Sequence, residues 1–218
     1  MAKTWKLYLG ENGAMIKLQG KLPREIYVAC SGGIDSMAVV DFLKRNHSVR
    51  ILHYHHGTAH GDKAMKFMLK YCGENDIDLL YEQNKETIPP GLSREAFWRE
   101  KRYAFFDRFD DAPIITAHHL DDCVETWVWS SMHGNPKIIP YRRRNVIRPF
   151  RLNRKRDFKL WLDLKNVPYI EDESNEDLHY TRNFIRHEMM PSVLKVNEGI
   201  HKTIKKKIKA EDDTNRDI

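Results

Sequence analysis

The chain has 218 residues, 41% of them hydrophobic and 11% aromatic, which is enough for one α/β domain with a core and an appendage but short for two full domains. No run approaches the roughly eighteen uninterrupted apolar residues of a membrane helix, and the N-terminal stretch MAKTWKLYLGENG lacks the apolar segment of a secretion signal, so a cytoplasmic protein is expected. The net charge of +6 is uneven, because residues 137–209 carry 19 Lys and Arg against 9 Asp and Glu, the footprint of a surface that neutralises a polyanion such as a nucleic acid.

In chain order, two short alternating runs around Glu11-Asn12-Gly13 predict an N-terminal β-hairpin over residues 1–20, since Asn-Gly supplies the positive φ of a tight hairpin turn. The apolar run Glu25 to Cys30 reads as a buried strand, and a helix follows SGGIDS. A second strand (VRILHYHH), a helix (GDKAMKFMLKYCGEND), a third strand (IDLLYEQ) and a long helix (SREAFWREKRYAFFDRFDD) come next. Pro113 to Ala117 predict a fourth strand, and LDDCVETWVWSSMHG a helix ending at Gly134. Short strands alternating with helices specify an α/β fold, a doubly wound, mostly parallel sheet over residues 21–136. In such sheets ligands sit beyond the carboxyl ends of the strands.

After Gly134 the alternation is expected to stop. Residues 137–153 read as a basic, Pro-punctuated connection, then RKRDFKLWLDLKN as a helix, PYIEDESNEDLHY as an acidic loop and TRNFIRHEMMPSVLKVN as a helix. Residues 137–209 together predict a basic helical extension suited to a nucleic acid, and the charged residues 210–218 a disordered tail. The three cysteines, Cys30, Cys72 and Cys123, form no CxxC pair, so reduced thiols are expected rather than a disulfide framework or a cysteine-bound metal.

Ser31-Gly32-Gly33-Ile34-Asp35-Ser36 falls between a buried strand and an apolar helix. Its glycines let backbone N–H groups approach a ligand, and the following helix N-terminus adds positive potential, so the natural guest is an anion. The Walker lysine of GxxxxGK[ST] is missing. A second motif, Thr116 to Thr126 (TAHHLDDCVET), leaves a strand and enters a helix. There Asp122 and Glu125 share a helical face and could bind an ammonium group or a metal ion.

These residues carry a resemblance. SGGIDS matches the SGGxDS signature of the PP-loop ATP pyrophosphatases, and AHHLDDCVET resembles the AHHxDDxxET run of the tRNA(Ile)-lysidine synthases. Glu95 to Tyr103 (EAFWREKRY) is similar to that family's E..AR..RY helix, with Trp98 in place of its alanine. Arg148-Pro149-Phe150, Glu171 to Asn175, Arg182-Asn183-Phe184-Ile185-Arg186 and Pro191 follow the family's RPL, EDxSN and RNxIR…P series in the same order. His56-Gly57 is retained, but the arginine of the family's "HGLR" is absent. The resemblance runs from about Leu22 to Leu194.

The resemblance implies a cytoplasmic, ATP- and Mg²⁺-dependent ligase. It would join L-lysine to C2 of the wobble cytidine in a tRNA anticodon loop through an adenylated cytidine, releasing AMP and pyrophosphate. Ser31, Gly32, Gly33, Ile34, Asp35 and Ser36 would bind ATP, with Asp35 and Asp121 organising the metal. Asp122 and Glu125 would hold the lysine amine, and His118 would take its proton. Arg186 or Arg182 would meet phosphate or the adenylate. The implied tRNA contacts are Arg99, Arg102, Arg142, Arg143, Arg144 and Arg182, while Tyr141 to Arg144 and Trp161 are available as a platform for the extruded base. Two alternatives remain: another PP-loop enzyme with a different nucleophile or acceptor, and a reduced homologue that binds nucleotide or tRNA without turnover.

Overall fold

A computed structural model describes residues 6–9, 15–172 and 176–214. Strands β1 (Lys6–Leu9) and β2 (Met15–Leu18) pair antiparallel, Lys6 opposite Leu18; the expected Asn-Gly turn lies outside the described residues. The core of the fold is a six-stranded sheet in the order β5-β4-β3-β6-β8-β7. Its strands are β3 (Glu25–Ala29), β4 (Ser48–His55), β5 (Leu79–Gln83), β6 (Ile114–Ile115), β7 (Arg142–Arg143) and β8 (Val146–Ile147). All pairings are parallel except that of β7 with β8.

Helices cover both faces. On one side Ile26, Val28, Val49 and Ile51 pack against α1 (Ile34–Leu43), α2 (Ala59–Asn75) and α5 (Lys155–Lys165). On the other, Tyr27, Leu52, Tyr54, Ile114 and Val146 meet Phe105 and Phe106 of α3 (Arg94–Phe106). Strands buried on both faces read as continuous apolar runs. Helix α1 is buried along nearly its whole length, Ser36 to Leu43, because α5 lies over the side that turns away from the sheet. Caps set the helix starts: Thr58 accepts from the Gly61 amide and Ser93 from the Ala96 amide, each satisfying a first-turn donor. The second strand of the hairpin is part of this body, since Ile16 and Leu18 join the main core and Asn153 bonds both the amide and the carbonyl of Lys17.

Strand β3 lies between β4 and β6. The chain winds outward from β3 through β4 to β5, then returns to the other side of β3 with β6. The order therefore reverses between β3 and β6, and a crevice opens there at their carboxyl ends.

Three expectations need correction. The sheet does not stop after Gly134, for β8 adds in parallel beside β6 and β7 closes the edge. Two-residue strands carry no periodicity to read, and three successive arginines mask an edge strand. Residues 181–197 are not one plain helix but α6 (Thr181–Phe184), a π-helical turn (Ile185–Met189) and α7 (Met190–Val196). Finally, residues 210–214 are not a disordered tail: α8 (Ile200–Thr214) runs through them. Its Ile200, Ile204 and Ile208 pack on Leu120, Val124 and Val128 of α4 (Leu120–Met132), a stripe at a spacing of four residues, and Asp212 pairs with the fully buried Arg151 at 2.8 Å.

Candidate active site

The phosphate loop occupies the crevice between β3 and β6. Gly32 has φ +85°, a left-handed conformation that glycine adopts without a Cβ penalty. A Cβ there would also press on Phe67 and Ile170 at 3.1 and 3.2 Å. The Gly32 carbonyl accepts from the Ile170 amide at 2.9 Å, which ties the loop to the stretch of chain before the acidic segment. Ser36 Oγ accepts from the Ser31 amide at 3.2 Å and donates to the Gly33 carbonyl at 3.0 Å, so the serines shape the loop from within. Helix α1 begins at Gly33 with no side-chain cap. Its first-turn N–H groups are left for a ligand.

Opposite this loop, β6 delivers His118 and His119 to the start of α4. His119 caps the helix: its Nδ1 accepts from the Asp122 amide at 3.3 Å, while Asp122 Oδ2 accepts from the His119 amide at 3.0 Å. Nε2 of the same ring lies 3.6 Å from Asp35 Oδ2, so the two motifs meet through these side chains. The other Asp35 oxygen, Oδ1, is buried without a hydrogen-bond partner. Burial opposes charge on His119, but Asp122, Asp35 and Asp121 outweigh it and raise its pKa. His118, by contrast, sits 2.9 Å from Thr116 Oγ1 through Nδ1. Burial, aided by Arg148, Arg182 and Arg102, pushes it down to about 3, so it is neutral at pH 7.

The acidic residues of α4 are already engaged. Asp121 accepts from Arg154 Nε at 2.9 Å, from the Lys155 amide at 2.8 Å and pairs with His201 at 3.1 Å, so both its oxygens are committed to joining α4, α5 and α8. The expected open anionic pocket at Asp122 and Glu125 is not open here. Arg182 donates to Asp122 at 2.7 Å, and Arg186 grips both oxygens of Glu125 at 2.8 and 2.9 Å while reaching Asp122 at 3.3 Å. Two carboxylates and two guanidiniums leave no net charge to attract an ammonium group. Arg182 and Arg186 are four apart across the π turn, and both are engaged by these carboxylates.

The predicted RNA-binding arginines divide into two groups. Arg99 and Arg143 lie over the Tyr103 ring at 5.5 and 5.4 Å and line an open cleft of about 370 Å³ with Arg144, which pairs with Asp107. Arg142 is exposed beside them on β7. Arg102 and Arg182 belong to the crevice instead. Arg102 makes no ion pair or hydrogen bond among the described residues, and burial, with repulsion from Arg99 and Arg182, lowers its pKa. Trp161 is buried on Asp41 at 2.9 Å and cannot serve as a base platform.

Two features of this rim involve residues whose identity the sequence singles out but whose role it does not state. His56 stacks on Trp98 at 4.9 Å, its pKa pushed to about 4 by burial and Arg102; the departure of Trp98 from the expected alanine was the available signal. Gly57, with φ +78° and a would-be Cβ 3.0 Å from the Asn84 carbonyl, fixes the turn that carries His56. Asp172 pairs with His60 at 3.5 Å, whereas Glu173, Ser174 and Asn175 lie outside the described residues.

Comparison with known proteins agrees with this geometry. A profile of the PP-loop domain matches residues 11–193. The chain is 28% identical over 197 residues to the tRNA(Ile)-lysidine synthase of Francisella tularensis subsp. holarctica, covering 84% of this chain and 49% of that one. Against that of Vibrio vulnificus the identity is 29% over 195 residues, with 82% and 45% covered. Against that of Haemophilus ducreyi it is 30% over 181 residues, with 78% and 42% covered. The chain thus spans about half the length of the curated relatives it matches. Among solved structures, an NH3-dependent NAD synthetase from Campylobacter jejuni aligns with a TM-score of 0.48 and 12% identity, covering 88% of this chain and 86% of that one. With an SGGIDS loop closing the carboxyl end of β3, the His-His-Leu-Asp-Asp start of α4 facing it across the switch point, and a family match over most of its length, the chain belongs to the PP-loop domain family.

Proposed function

We propose that this chain is an ATP-using tRNA-modifying ligase that joins L-lysine to C2 of a wobble cytidine, with AMP and pyrophosphate as the other products. The observation that carries this reading is the meeting of Asp35 with His119, which places the phosphate loop and the start of α4 in one crevice. The similarity to tRNA(Ile)-lysidine synthases supports the choice of substrate.

A cytosine carbonyl oxygen leaves poorly, and its adenylation turns it into a leaving group. For that step the triphosphate must be held in line and charge on the departing pyrophosphate must be balanced. Gly32, Gly33 and the uncapped first turn of α1 offer amides for the phosphates, with Ser31 and Ser36 bracing the loop. The buried, unpartnered Oδ1 of Asp35 suits a hard cation, and Mg²⁺ bound there would neutralise phosphate charge. Asp121, with both oxygens taken, fits that role less well than Asp35.

Lysine must then attack as a free amine, although its reference pKa is about 10.4. In this reading Arg182, whose side chain is 46% exposed, leaves Asp122 for the phosphates when nucleotide binds. That exchange gives the crevice a net negative charge at Asp122 and Glu125 and admits the ammonium group. Neutral His118 faces the same carboxylate and accepts the proton. A ring whose pKa is near 3 cannot keep it, so the proton passes on to water.

Incubation of the full chain with ATP and labelled lysine, with and without unmodified tRNA, tests the proposal by mass spectrometry of the anticodon nucleosides. Lysidine formed only with ATP is the expected product. AMP release without any modified cytidine would refute the lysine assignment, and no ATP turnover would leave a binding protein.

A further inference from the structure

A second group of cations takes no part in the chemistry above. Lys17 on β2, Arg154 and Arg156 at the start of α5, and Lys202 and Lys205 on α8 line one open cleft of about 450 Å³. Its apolar floor includes Leu120, Leu152 and Leu160. Of these cations Arg154 holds Asp121 at 2.9 Å, and Arg156 lies 3.9 Å from Asp157, whose carboxylate is already accepting from the Arg154 amide at 2.7 Å. The side chains of Lys17, Lys202 and Lys205 have no ion pair or hydrogen bond among the described residues. Burial and the nearby Lys17 and Lys209 lower the pKa of Lys205, and Asp157 opposes them only in part, as expected where positive charge is crowded.

We propose that this cleft between β2, α5 and α8 binds the phosphate backbone of the RNA strand on which the active site acts. The proposal rests on the tRNA-modifying reading given above. Three lysines without an ion pair among the described residues, beside Arg154 and Arg156 that share the carboxylates of Asp121 and Asp157, exceed what one small anion would neutralise, and they flank an apolar floor on which sugar and base surfaces can lie. On α8, Lys202 and Lys205 are three apart and so lie on one helical face. The cleft also adjoins the crevice, because Arg154, Asp121, His119 and Asp35 form a continuous chain at 2.9, 3.7 and 3.6 Å. A strand seated here would lead toward the phosphate loop from the side opposite the β7 arginines.

The test uses the full chain and a fluorescein-labelled RNA anticodon stem-loop, with anisotropy titrations between about 50 and 200 mM salt. The triple variant Lys17→Gln, Lys202→Gln, Lys205→Gln should keep the wild-type melting temperature. Its slope of log affinity against log salt should fall by about 0.7 to 0.9 for each phosphate left without its lysine, about 2.1 to 2.7 for all three. The exposed pair Arg156→Gln, Lys202→Gln provides an independent reading in a variant that disturbs no buried group. Equal affinity and slope in wild type and both variants would overturn the cleft assignment alone. A wild-type chain that binds the RNA without salt dependence would overturn the tRNA reading with it. If inorganic phosphate stabilises the wild type but not the triple variant while RNA binding is equal, the cleft takes a free anion, and the RNA assignment fails.

Discussion

Replacing Arg186 by Met isolates the pairing that closes the candidate amine pocket. Glu125, whose side chain is 8% exposed, would lose both short bonds to Arg186 and keep only Arg182 Nε at 3.7 Å. Removing one partner of a buried pair costs about 3 to 5 kcal/mol, because the remaining charge is left uncompensated. The lower end applies here, since Arg182 remains close and Arg186 itself is 22% exposed. A loss of about 3 kcal/mol lowers the melting temperature of a chain of this size by about 6 to 12 °C. Adding Glu125→Leu removes the stranded carboxylate beside an apolar cluster that contains Val124, Val128 and Ile185, so the double variant should return to within about 1 kcal/mol of wild type. Urea titration of the wild type, both single variants and the double variant completes the cycle. A single Arg186→Met variant that loses less than about 1 kcal/mol, or a double variant that merely sums the two singles, would refute the pairing as an energetic unit.

Asp35→Ala should abolish AMP and pyrophosphate release while the chain stays folded, because Oδ1 has no partner to lose and Oδ2 loses only its 3.6 Å approach to His119; wild-type ATP consumption would remove Asp35 from the mechanism. Gly32→Ala should destabilise the chain by about 1 to 2 kcal/mol through its positive φ and the crowding against Phe67 and Ile170, and should weaken nucleotide binding in calorimetry; a neutral effect would mean that the loop relaxes freely. Folded Asp121 and Asp122 have pKa values held below the ordinary range despite burial, by His201 and the Lys155 amide for the first and by His119 and Arg182 for the second. Their contribution is therefore present above about pH 4 and is lost as pH falls below it toward their folded values, so the Asp121→Asn, Asp122→Asn variant should be less stable than wild type at pH 7 and should lose less stability on acidification below about pH 4 in urea titrations; an equal loss in both proteins would remove these carboxylates from the acid response. Neutralising Arg142, Arg143 and Arg144 together should weaken binding of the RNA stem-loop and flatten its salt slope while ATP affinity is unchanged; a lowered ATP affinity would assign these arginines to the crevice.

The two motifs were legible because their chemistry is local. An anion loop needs glycines next to a strand end, and SGGIDS states that within six consecutive letters. The cap made by His119 and Asp122 is likewise contained in four residues. The state of Asp122 and Glu125 was not legible, because it depends on arginines 60 and 61 positions away and on a π turn that no propensity rule signals. Helix α8 was readable in principle from Ile200, Ile204 and Ile208, but the lysines between them and the acidic residues after them matched the composition of a solvated tail. Strands β7 and β8 are too short for any period, and only their pairing with each other and with β6 reveals them.

The buried guanidinium of Arg151 has a consequence for the order in which the molecule is assembled. It bonds the Ile139 carbonyl at 2.8 Å, Gln19 at 3.3 Å and Asp212 at 2.8 Å, so it gathers segments from both ends of the chain. Asp212 follows Arg151 by 61 positions and, at about 5 to 20 residues per second, is synthesised about 3 to 12 s later. Until then the positive charge has no carboxylate to accompany it into the interior and stays hydrated. The strap formed by β2 and the chain around residue 139 therefore cannot shut over it, although the parallel sheet has already been made. Closure of this corner is a late, long-range event of the kind that slows folding. In pulse-labelled hydrogen exchange the amides of Lys17 and Gln19 should gain protection together with those of α8, after the amides of β3 and β4.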